Sequence, residues 1–399
     1  MKIALVHDYL REYGGAERVL EVLHEIWPES PVYTAFVDWE SLGLRRERFE
    51  NWEIHTSWGQ KLPAIKKLFS PYRIFAPTFF RSFDFSRFDV VISSSSVYFA
   101  KAIKVKPPAV HICYCHTPPR FLYGYPTAIE WQKHWWGKLG GSLLNHWLRM
   151  ADWQVAQEVD FFIANSQETA LRIKKFYRRD SVIIYPPVKL LTATGPAARQ
   201  PQNLPTALTS AGPHFGAPRL TSPVATKPYY LCVSRLARSK RIDLAIEACN
   251  RLRLPLKVVG AGREEENLKV MAGLTVEFLG EVSDEELANL YFGCRALIFP
   301  AEEEDFGMVP VEAMSFGKPV IAYRSGGVVE SVIEGKTGIF FNESTTESLM
   351  EAIKRFNDLN HDIKAEDCLR QAQKFSKERF KKEIKEFVEG KNLCQNFRK

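Results

Sequence analysis

Four consecutive acidic side chains, Glu302 to Asp305, lie between an apolar segment ending at Pro300 and a helical segment containing Glu312. An ionised carboxylate only accepts hydrogen bonds. The positive end of the helix dipole, at the N-terminus, stabilises such a negative charge. Such a loop is suited to binding paired hydroxyl groups, as on a sugar. The alternative, a solvated acidic loop, leaves the apolar residues between these acids unexplained.

A basic loop lies earlier in the same half of the chain. The predicted strand Tyr229–Ser234 leads into it, and a helix opens after it at Ile242. Its four cations are Arg235, Arg238, Lys240 and Arg241. Because Arg can bind two phosphate oxygens and a helix N-terminus favours anions, this loop is a candidate pyrophosphate site. The alternative is a solvated basic loop.

Glycines occur at two strand-to-helix turns. Gly260 and Gly262 follow one predicted strand, and Gly14 and Gly15 precede a helix that starts near Ala16. Glycine lets the backbone approach a ligand closely, and the helix N-terminus favours an anion. Each pair either admits a phosphate or simply makes a tight turn, and a lone G-x-G is weak support for the first.

A strand with two histidines and two cysteines raises the possibility of zinc. Alternation along the strand sends His111, Cys113 and Cys115 to one face and His116 to the other, so no metal site is predicted. His116 instead ends the strand at the sheet edge where a ligand would bind. Asp8 ends the first strand at the same edge, where it either orients an acceptor hydroxyl and accepts its proton or caps the following loop.

The elements that must position these residues are short β-branched runs alternating with helical patterns, which is typical of βαβ units with parallel sheets. The predicted strands are Ile3–His7, Pro31–Val37, Asp89–Ser93, Val110–Tyr114, Phe161–Asn165 and Val182–Tyr185, followed by Tyr229–Ser234, Leu256–Gly260, Thr275–Gly280, Ala296–Pro300, Pro319–Tyr323 and Gly338–Phe341. Helices are predicted over Ala16–Trp27, Asp243–Arg251, Asp284–Phe292 and from about 345 to 387. The predicted fold class is therefore α/β, with two doubly wound domains.

Residues 190–227 separate the two series of strands. They include six Pro and no Asp or Glu, a composition that indicates a linker or insertion. The predicted divisions are a first domain at 1–185, the Pro/Thr/Ala-rich segment at 186–227, a second domain at 228–375, and a C-terminal helix and tail at 376–399.

Composition excludes several classes of protein. The chain has 399 residues, 45% hydrophobic and 25% charged, enough for two cores without disulfides or a metal. No apolar run is long enough to span a bilayer, and the start MKIALVHDYL is typical of a strand rather than a signal peptide. Seven Cys without an export signal indicate reduced thiols in the cytosol. The net charge of +7 favours a polyanionic partner, but no nucleic-acid-binding motif is present.

Taken together, the motifs resemble glycosyltransferase family 4, the retaining nucleotide-sugar glycosyltransferases of the GT-B fold. The motifs that carry the resemblance are ExFGxxxxEAM with Glu304 and Glu312, SRLxxxKRIDLAIEA, Gly280-Glu281-Val282 before DEEL, and KPVIAYRSGGVVESVIEGKTG. The resemblance covers most of residues 1–185 and 228–375, whereas 190–227 is longer than the usual connection. It implies two Rossmann-like domains that face a cleft, with C-terminal helices crossing back to the first domain.

The resemblance implies roles in the second, donor-binding domain. Arg235 and Lys240 would bind the donor diphosphate, Glu304 would contact the sugar hydroxyls and support the transition state, and Glu312 would hold the ribose hydroxyls. The backbone at Glu281 and Val282 would meet the base. The remaining donor-binding candidates are Gly260, Phe306, Gly307, Met308 and Val309, the last three through backbone N–H groups.

In the first, acceptor-side domain, His116 matches the active-site His that contacts the transferred sugar. The loop at Gly14 and Gly15 would border the donor phosphates and the acceptor. Arg120 is a candidate for an acceptor phosphate, and Asp8 is a candidate catalytic residue.

The expected activity is the retaining transfer of a hexose to a lipid-linked saccharide or phospholipid acceptor in cell-envelope polysaccharide or glycolipid synthesis. The first choice of donor is GDP-mannose, and the alternative is UDP-glucose or another UDP-sugar. No cofactor or metal is expected, because Arg235, Lys240 and helix N-termini can neutralise the leaving diphosphate. A non-catalytic nucleotide-sugar-binding protein remains an alternative. An oxidoreductase is disfavoured, because no G-x-G-x-x-G follows the first strand.

Two stretches mix basic and aromatic residues in a way that suits an anionic lipid surface. They are Trp58–Phe83, which includes Lys61, Lys66 and Lys67, and residues 121–141, which include Trp131, Trp135 and Trp136. The protein is therefore predicted to be cytoplasmic and peripheral at the inner face of the plasma membrane. The alternative is a pair of buried helices whose lysines reach solvent.

Overall fold

A computed structural model describes residues 1–125, 135–190, 228–359 and 362–396. Residues 191–227 of the predicted linker at 186–227 lie outside these ranges, as do Trp131 and the side chains of Trp135 and Trp136. Within the described ranges, no helix has both the length and the apolar character needed to cross a bilayer.

The first half of the chain forms a seven-stranded parallel sheet with the order β3-β2-β1-β4-β5-β6-β7. Its strands are β1 (Ile3–His7), β2 (Val32–Thr34), β3 (Ile54–Thr56), β4 (Val90–Ser95), β5 (Val110–Cys115), β6 (Phe161–Ala164) and β7 (Ser181–Ile183). Six of these were predicted. The exception is β3, whose three residues are too few to display an alternating pattern.

The second half forms a six-stranded parallel sheet with the order β10-β9-β8-β11-β12-β13. Its strands are β8 (Tyr229–Val233), β9 (Leu256–Val259), β10 (Val276–Gly280), β11 (Cys294–Phe299), β12 (Val320–Tyr323) and β13 (Gly338–Phe341). All six were predicted to within two residues. In both sheets the strand order reverses beside the first strand, which places a ligand-binding crevice at the carboxyl ends of the central strands.

Helices cover both faces of the sheets, as right-handed crossovers between parallel strands require. They are α1 (Gly15–Ile26), α2 (Trp39–Leu42), α3 (Ile65–Tyr72), α4 (Ala76–Arg81), α5 (Trp135–Gln157), α6 (Gln167–Tyr177), α7 (Ile242–Leu252), α8 (Glu265–Met271), α9 (Asp284–Gly293), α10 (Met308–Ser315), α11 (Val328–Ser331), α12 (Thr346–Leu359), α13 (Ala365–Gln373) and α14 (Lys377–Asn396). The predicted helical tail from 345 to 387 is thus three helices.

Each sheet has a buried core of its own, and α14 joins the two halves. Along β1, Leu5 packs under α1, while Ala4 and Val6 face the opposite core. Phe380 and Ile384 of α14 pack into the core beneath α1. The C-terminal helix therefore returns to the first domain, as the resemblance implied.

Candidate functional site

The carboxyl ends of the strands in both sheets carry the candidate residues. In the first domain, His116 follows β5 directly and Asp8 follows β1 directly. In the second domain, the basic loop follows β8 and the acidic loop follows β11. Ion pairs link loops of the two domains, so the candidate residues of both line one cleft.

The two cations assigned to the donor diphosphate are each held by a carboxylate. Lys240 Nζ contacts Glu304 Oε2 in the same domain, and Arg235 Nη1 donates to Glu12 Oε2 of the first domain at 2.8 Å. Burial alone would raise the pKa of Glu304, but Lys240 and Arg120 hold it below its usual range. Glu304 is therefore an ionised, acceptor-only group between cations.

Arg241 belongs to a different cluster from Arg235 and Lys240. Its guanidinium contacts Asp243 at 3.1 Å and Glu302 at 2.6 Å. The basic loop thus divides. Arg235 and Lys240 engage the cleft residues Glu12 and Glu304, whereas Arg241 ties the start of α7 to the beginning of the acidic loop.

The segment Ser325-Gly326-Gly327 packs against the acidic loop. Gly327 N–H donates to Glu304 O at 2.7 Å, and Glu303 N–H donates to Ser325 Oγ at 3.2 Å. A Cβ atom at Gly326 would lie 2.3 Å from Glu304 O, and one at Gly327 would lie 2.3 Å from Asp305 O. Only glycines allow this close packing, which fixes the backbone that carries Glu304.

Glu312 lies in α10, where it is 8% exposed and has two partners. Tyr291 Oη donates to its Oε2 at 2.9 Å. The guanidinium of Arg18, which comes from α1 of the first domain, contacts its Oε1. The attraction of Glu312 is the main cause of a raised pKa at Arg18. The carboxylate assigned to the ribose is therefore paired with a cation from across the cleft.

Arg120 also spans the cleft, although in a different role from the one predicted. Its Nη2 donates to Glu303 O at 2.5 Å and lies 2.8 Å from Asp305 Oδ1. Arg172 of α6 contacts the same carboxylate at 2.6 Å. In this structure Arg120 holds the acidic loop, and its assignment to an acceptor phosphate remains a prediction.

The structure favours the loop-holding alternative for Asp8. Its side chain is 4% exposed, and its two oxygens accept the backbone N–H groups of Ser96, Tyr98 and Ala100 at 2.8–3.0 Å. These three hydrogen bonds tie the loop after β4 to the end of β1. Asp8 therefore anchors the loop after β4, and its assignment as a catalytic residue remains a prediction.

His116 lies at the cleft end of β5, where it is 7% exposed. Its Nε2 is 2.8 Å from Ser94 Oγ. Burial, and secondarily the proximity of His7, lowers the pKa of His116 to about 3, so its imidazole is neutral near pH 7. His111 lies on the opposite face of the sheet, as the alternation predicted, and forms a hydrogen bond with Ser93. Among the described residues, no cluster of three or more metal-ligating side chains occurs.

The glycine candidates have mainly structural tasks. A Cβ at Gly260 would lie 2.0 Å from Ser234 O, and one at Gly262 would lie 2.3 Å from Leu236 O, so both glycines let the basic loop pack closely. The Gly14 N–H donates to Glu17 Oε2 at 2.8 Å. A Cβ at Gly15 would come within 3.3 Å of Met308 Sδ, at the start of α10.

The side chain of Phe306 lies in the core. It is 2% exposed and packs against Tyr185 and Phe375, with ring centroids 5.5 and 5.3 Å away. It therefore anchors the loop, and the assignment of Phe306 to donor binding remains a prediction. Gly307, with φ of +81°, and Met308 and Val309 form the amino end of α10, whose first N–H groups have no partner within the helix.

Two family models match the chain. "Glycosyltransferase Family 4" matches residues 13–190, and "Glycosyl transferases group 1" matches residues 221–375. Together they cover well over half of the chain. The chain belongs to glycosyltransferase family 4.

Relatives and solved structures agree with this placement. The chain is 29% identical to the alpha-1,3/1,6-mannosyltransferase ALG2 of Homo sapiens over 57% of this chain and 58% of that protein. It is 29% identical to the sulfoquinovosyl transferase SQD2 of Arabidopsis thaliana over 41% of this chain. The chain spans about a third of the length of the first curated relatives that it matches.

Among solved structures, the sucrose-phosphate synthase of Thermosynechococcus elongatus has a TM-score of 0.71 at 17% identity, covering 99% of this chain and all of that chain. Anabaena Alr3699/HepE in complex with UDP and glucose has a TM-score of 0.67 at 17% identity, covering 98% of this chain and all of that one. These likenesses show that the fold is that of GT-B glycosyltransferases.

Several residues of the site in this family 4 chain were not predicted from the sequence. Arg18 follows Gly14-Gly15 on α1, but nothing in its spacing indicates a partner 294 residues away. Arg45 and Arg48 contact Asp284 at 2.7 and 2.8 Å, next to the predicted base-binding backbone. Residues 1–185 carry 24 basic and 19 acidic side chains, and this surplus was the available signal. Several of the arginines in this half pair with acids of the second domain.

Proposed function

We propose that the protein transfers a hexose from a nucleoside diphosphate donor to an acceptor held by the first domain, with retention of the anomeric configuration. The observation that carries the proposal is the composition of the cleft. Lys240 pairs with Glu304 in the second domain, and Arg120, four residues beyond His116 at the end of β5, contacts Glu303 O and Asp305 on either side of Glu304. A donor with phosphate at one end and sugar hydroxyls at the other matches cations beside an acceptor-only carboxylate.

The cations are arranged to stabilise the leaving group. When the glycosidic bond to phosphate breaks, negative charge grows on the diphosphate, and Lys240, Arg235 and the amino end of α10 can neutralise it. In the structure, Glu304 contacts Lys240 and Glu12 contacts Arg235. Binding of the diphosphate would replace the contact with Glu12, and Glu304 would remain as the acceptor for the sugar hydroxyls.

The donor that we propose first is GDP-mannose. The likeness to a human mannosyltransferase extends over 259 residues and supports mannose as the sugar. UDP-glucose is the competing donor, and the related fold of Anabaena HepE has been solved with UDP-glucose. The chain offers the same cations to either diphosphate, so the distinction rests on the base and on one sugar hydroxyl.

The reaction is proposed to need no metal and no cofactor, since the chain itself supplies the positive charge. Activity that survives EDTA would support this. Activity that appears only on addition of Mg²⁺ or Mn²⁺ would contradict it.

The acceptor is proposed to be a lipid-linked saccharide or a phospholipid, which places the protein at the inner face of a membrane. The first domain exposes large apolar side chains on adjoining elements. Trp58, Leu68 and Phe75 are 43–44% exposed, and Trp147 and Trp153 on α5 are 53% and 44% exposed. Part of the predicted interfacial segment belongs to the core instead, since Ile65, Phe79 and Phe80 are buried.

A screen of GDP, UDP and their sugars tests the proposal directly. Stabilisation against heat by one nucleotide identifies the base, and release of free sugar from the matching donor identifies transfer to water. A donor that binds without any hydrolysis or transfer to a lipid extract would indicate a non-catalytic binding protein. If no nucleotide sugar raises the Tm, the proposed function is wrong.

A further inference from the structure

A chain of hydrogen bonds leads from α1 to His116 through the buried side of the first sheet. Glu17 Oε1 lies 3.4 Å from His7 Nε2, His7 Nδ1 lies 3.0 Å from Ser94 Oγ, and Ser94 Oγ lies 2.8 Å from His116 Nε2. None of these four residues is more than 7% exposed. Glu17, His7, Ser94 and His116 are called the relay below.

The strand register explains why these residues meet. β1 pairs with β4 so that His7 lies beside Ser94, and β4 pairs with β5 so that Ser94 lies beside Tyr114. His116 follows Tyr114 by two residues and shares its face of the sheet. α1 covers that face and contributes Glu17, whose Oε2 accepts the N–H of Gly14 at 2.8 Å.

The chemistry of the groups gives the relay a direction. Burial opposes the ionisation of Glu17, but the hydrogen bonds from His7 and from the Gly14 N–H hold the pKa of Glu17 below its usual range. An ionised carboxylate only accepts, so His7 donates from Nε2. A neutral imidazole has a single proton, which leaves His7 Nδ1 to accept the hydroxyl proton of Ser94. Ser94 Oγ then accepts, and His116 must donate from Nε2.

We propose that the relay fixes His116 as the tautomer with its proton on Nε2, so that Nδ1 is the hydrogen-bond acceptor for a hydroxyl group of the transferred sugar. Glu17, His7 and Ser94 are positioning residues in this scheme, because they act through His116. The contact with sugar rests on the proposed function, whereas the tautomer does not.

NMR of the full-length, ligand-free protein labelled with ¹⁵N-histidine tests the tautomer without reference to activity. The chain has nine His, and the signals of His116 are those lost in His116→Gln. Protonated and bare ring nitrogens have separate ¹⁵N shifts, so the expected result is a protonated Nε2 and a bare Nδ1. A proton on Nδ1 instead, as a doubly protonated His7 would impose, would overturn the proposal.

Ser94→Ala breaks the relay and should leave His116 as a mixture of tautomers. The matched control is Ser93→Ala, which removes the hydroxyl 2.8 Å from His111 Nε2 on the opposite face of the sheet. The control should leave the His116 signals unchanged. If Ser94→Ala does not fold, Glu17→Gln is the substitute variant. The amide of Gln can donate as well as accept, so it no longer requires His7 to donate from Nε2. An unchanged tautomer in the folded variant would count against the relay.

Kinetics then connect the tautomer to the sugar. Ser94→Ala should lower kcat/KM for the donor about tenfold, the loss of roughly one hydrogen bond. The Kd of the nucleoside diphosphate should stay unchanged, because this ligand lacks the transferred hexose. Ser94→Thr keeps the hydroxyl and should recover most of the loss. Equal losses for donor and free diphosphate would indicate a general structural role. A wild-type protein without turnover would contradict the proposed function and leave the NMR result to decide the relay.

Discussion

The guanidinium group of Arg18 in α1 contacts the carboxylate of Glu312 in α10, so the residue assigned to the ribose is paired with the opposite domain. It is one of several ion pairs that cross the cleft. Arg172 and Arg120 meet Asp305 at 2.6 and 2.8 Å. Groups of opposite charge from the two domains thus pair with one another along the cleft.

Arg18→Gln should widen the cleft of the ligand-free protein. The variant removes the charge from the first domain that pairs with Glu312 of the second domain. Small-angle scattering should show a larger radius of gyration than for wild type. Arg46→Gln is the matched control, since Arg46 is 56% exposed and pairs with Glu50 inside the first domain. Identical scattering from both variants would mean that the Arg18 contact does not hold the domains together.

Arg235→Gln and Lys240→Gln should each weaken the binding of the nucleoside diphosphate. A charge-assisted contact with phosphate contributes roughly 1.5–3 kcal/mol, so the expected loss is about tenfold or more in Kd by calorimetry. Arg251→Gln provides the control, because Arg251 is 48% exposed and pairs with Glu247 and Glu347. If Arg235→Gln and Lys240→Gln keep the affinity of the Arg251 control for every nucleotide tested, these residues are not in the site.

Glu304→Gln and Glu312→Gln should have opposite kinetic signatures. Glu304 is proposed to act at the sugar, so its replacement should lower kcat much more than it weakens nucleotide binding. Glu312 is proposed to hold the ribose in ground state and transition state alike, so its replacement should mainly raise the donor KM. Wild-type values for both variants would show that the assignment of this motif is wrong.

The architecture followed from the sequence because parallel strands buried on both faces produce continuous apolar runs, which are easy to recognise. The ends of Gly338–Phe341 and Ile3–His7 were predicted without error.

The site was predictable only where its residues belong to local sequence motifs. Arg235, Lys240, Glu304 and Glu312 belong to such motifs, and the structure brings all four to the cleft.

Contacts between distant segments were not predictable. Asp8 accepts three backbone N–H groups of the loop after β4, and the side chain of Phe306 is buried in the core. Their partners come from other elements, and neither spacing nor residue type indicates which. The relay to His116 was missed for the same reason, since it depends on the register of three strands.

Stability should fall as the pH is lowered from 6.5 towards 4.5, and buried histidines should account for part of the fall. Burial, with a smaller effect of Lys101, lowers the pKa of His111 to about 3 from an ordinary 6.5. Between these values the unfolded chain binds a proton that the folded chain does not, so the stabilisation is complete above 6.5 and is lost on acidification. The slope is at most about 1.4 kcal/mol per pH unit for each such histidine.

Urea unfolding at several pH values measures this slope. His111 and His116 are the two buried histidines whose pKa is lowered to about 3. His111→Gln removes one of them and should reduce the change of stability with pH, whatever its effect on stability at pH 7.5. Parallel curves for wild type and variant would show that His111 titrates normally in the folded protein.

Two exposed lysines of the first domain should contribute to binding at an anionic membrane. Lys66 lies 3.4 Å from both Asp38 and Glu40, so part of its charge is already neutralised within the domain. Lys61 and Lys67 are exposed on the same segment. Each Lys near an anionic surface contributes about 1 kcal/mol, so Lys61→Gln with Lys67→Gln should lower partitioning onto anionic vesicles about thirtyfold.

Charge and apolar insertion can be separated by a second pair of changes. Trp147→Ser with Trp153→Ser removes two exposed aromatic side chains from α5 without changing the charge, and should weaken binding even in high salt, where the effect of the lysines is screened. Lys354→Gln with Lys364→Gln is the control, because it removes the same charge from exposed positions of the second domain. Co-sedimentation with anionic and neutral vesicles measures all four proteins. If the surface lies on the membrane, the lysine pair loses its effect as salt rises, the tryptophan pair keeps its effect, and the control follows wild type. Equal binding by wild type and all variants would assign these side chains to an ordinary solvated surface.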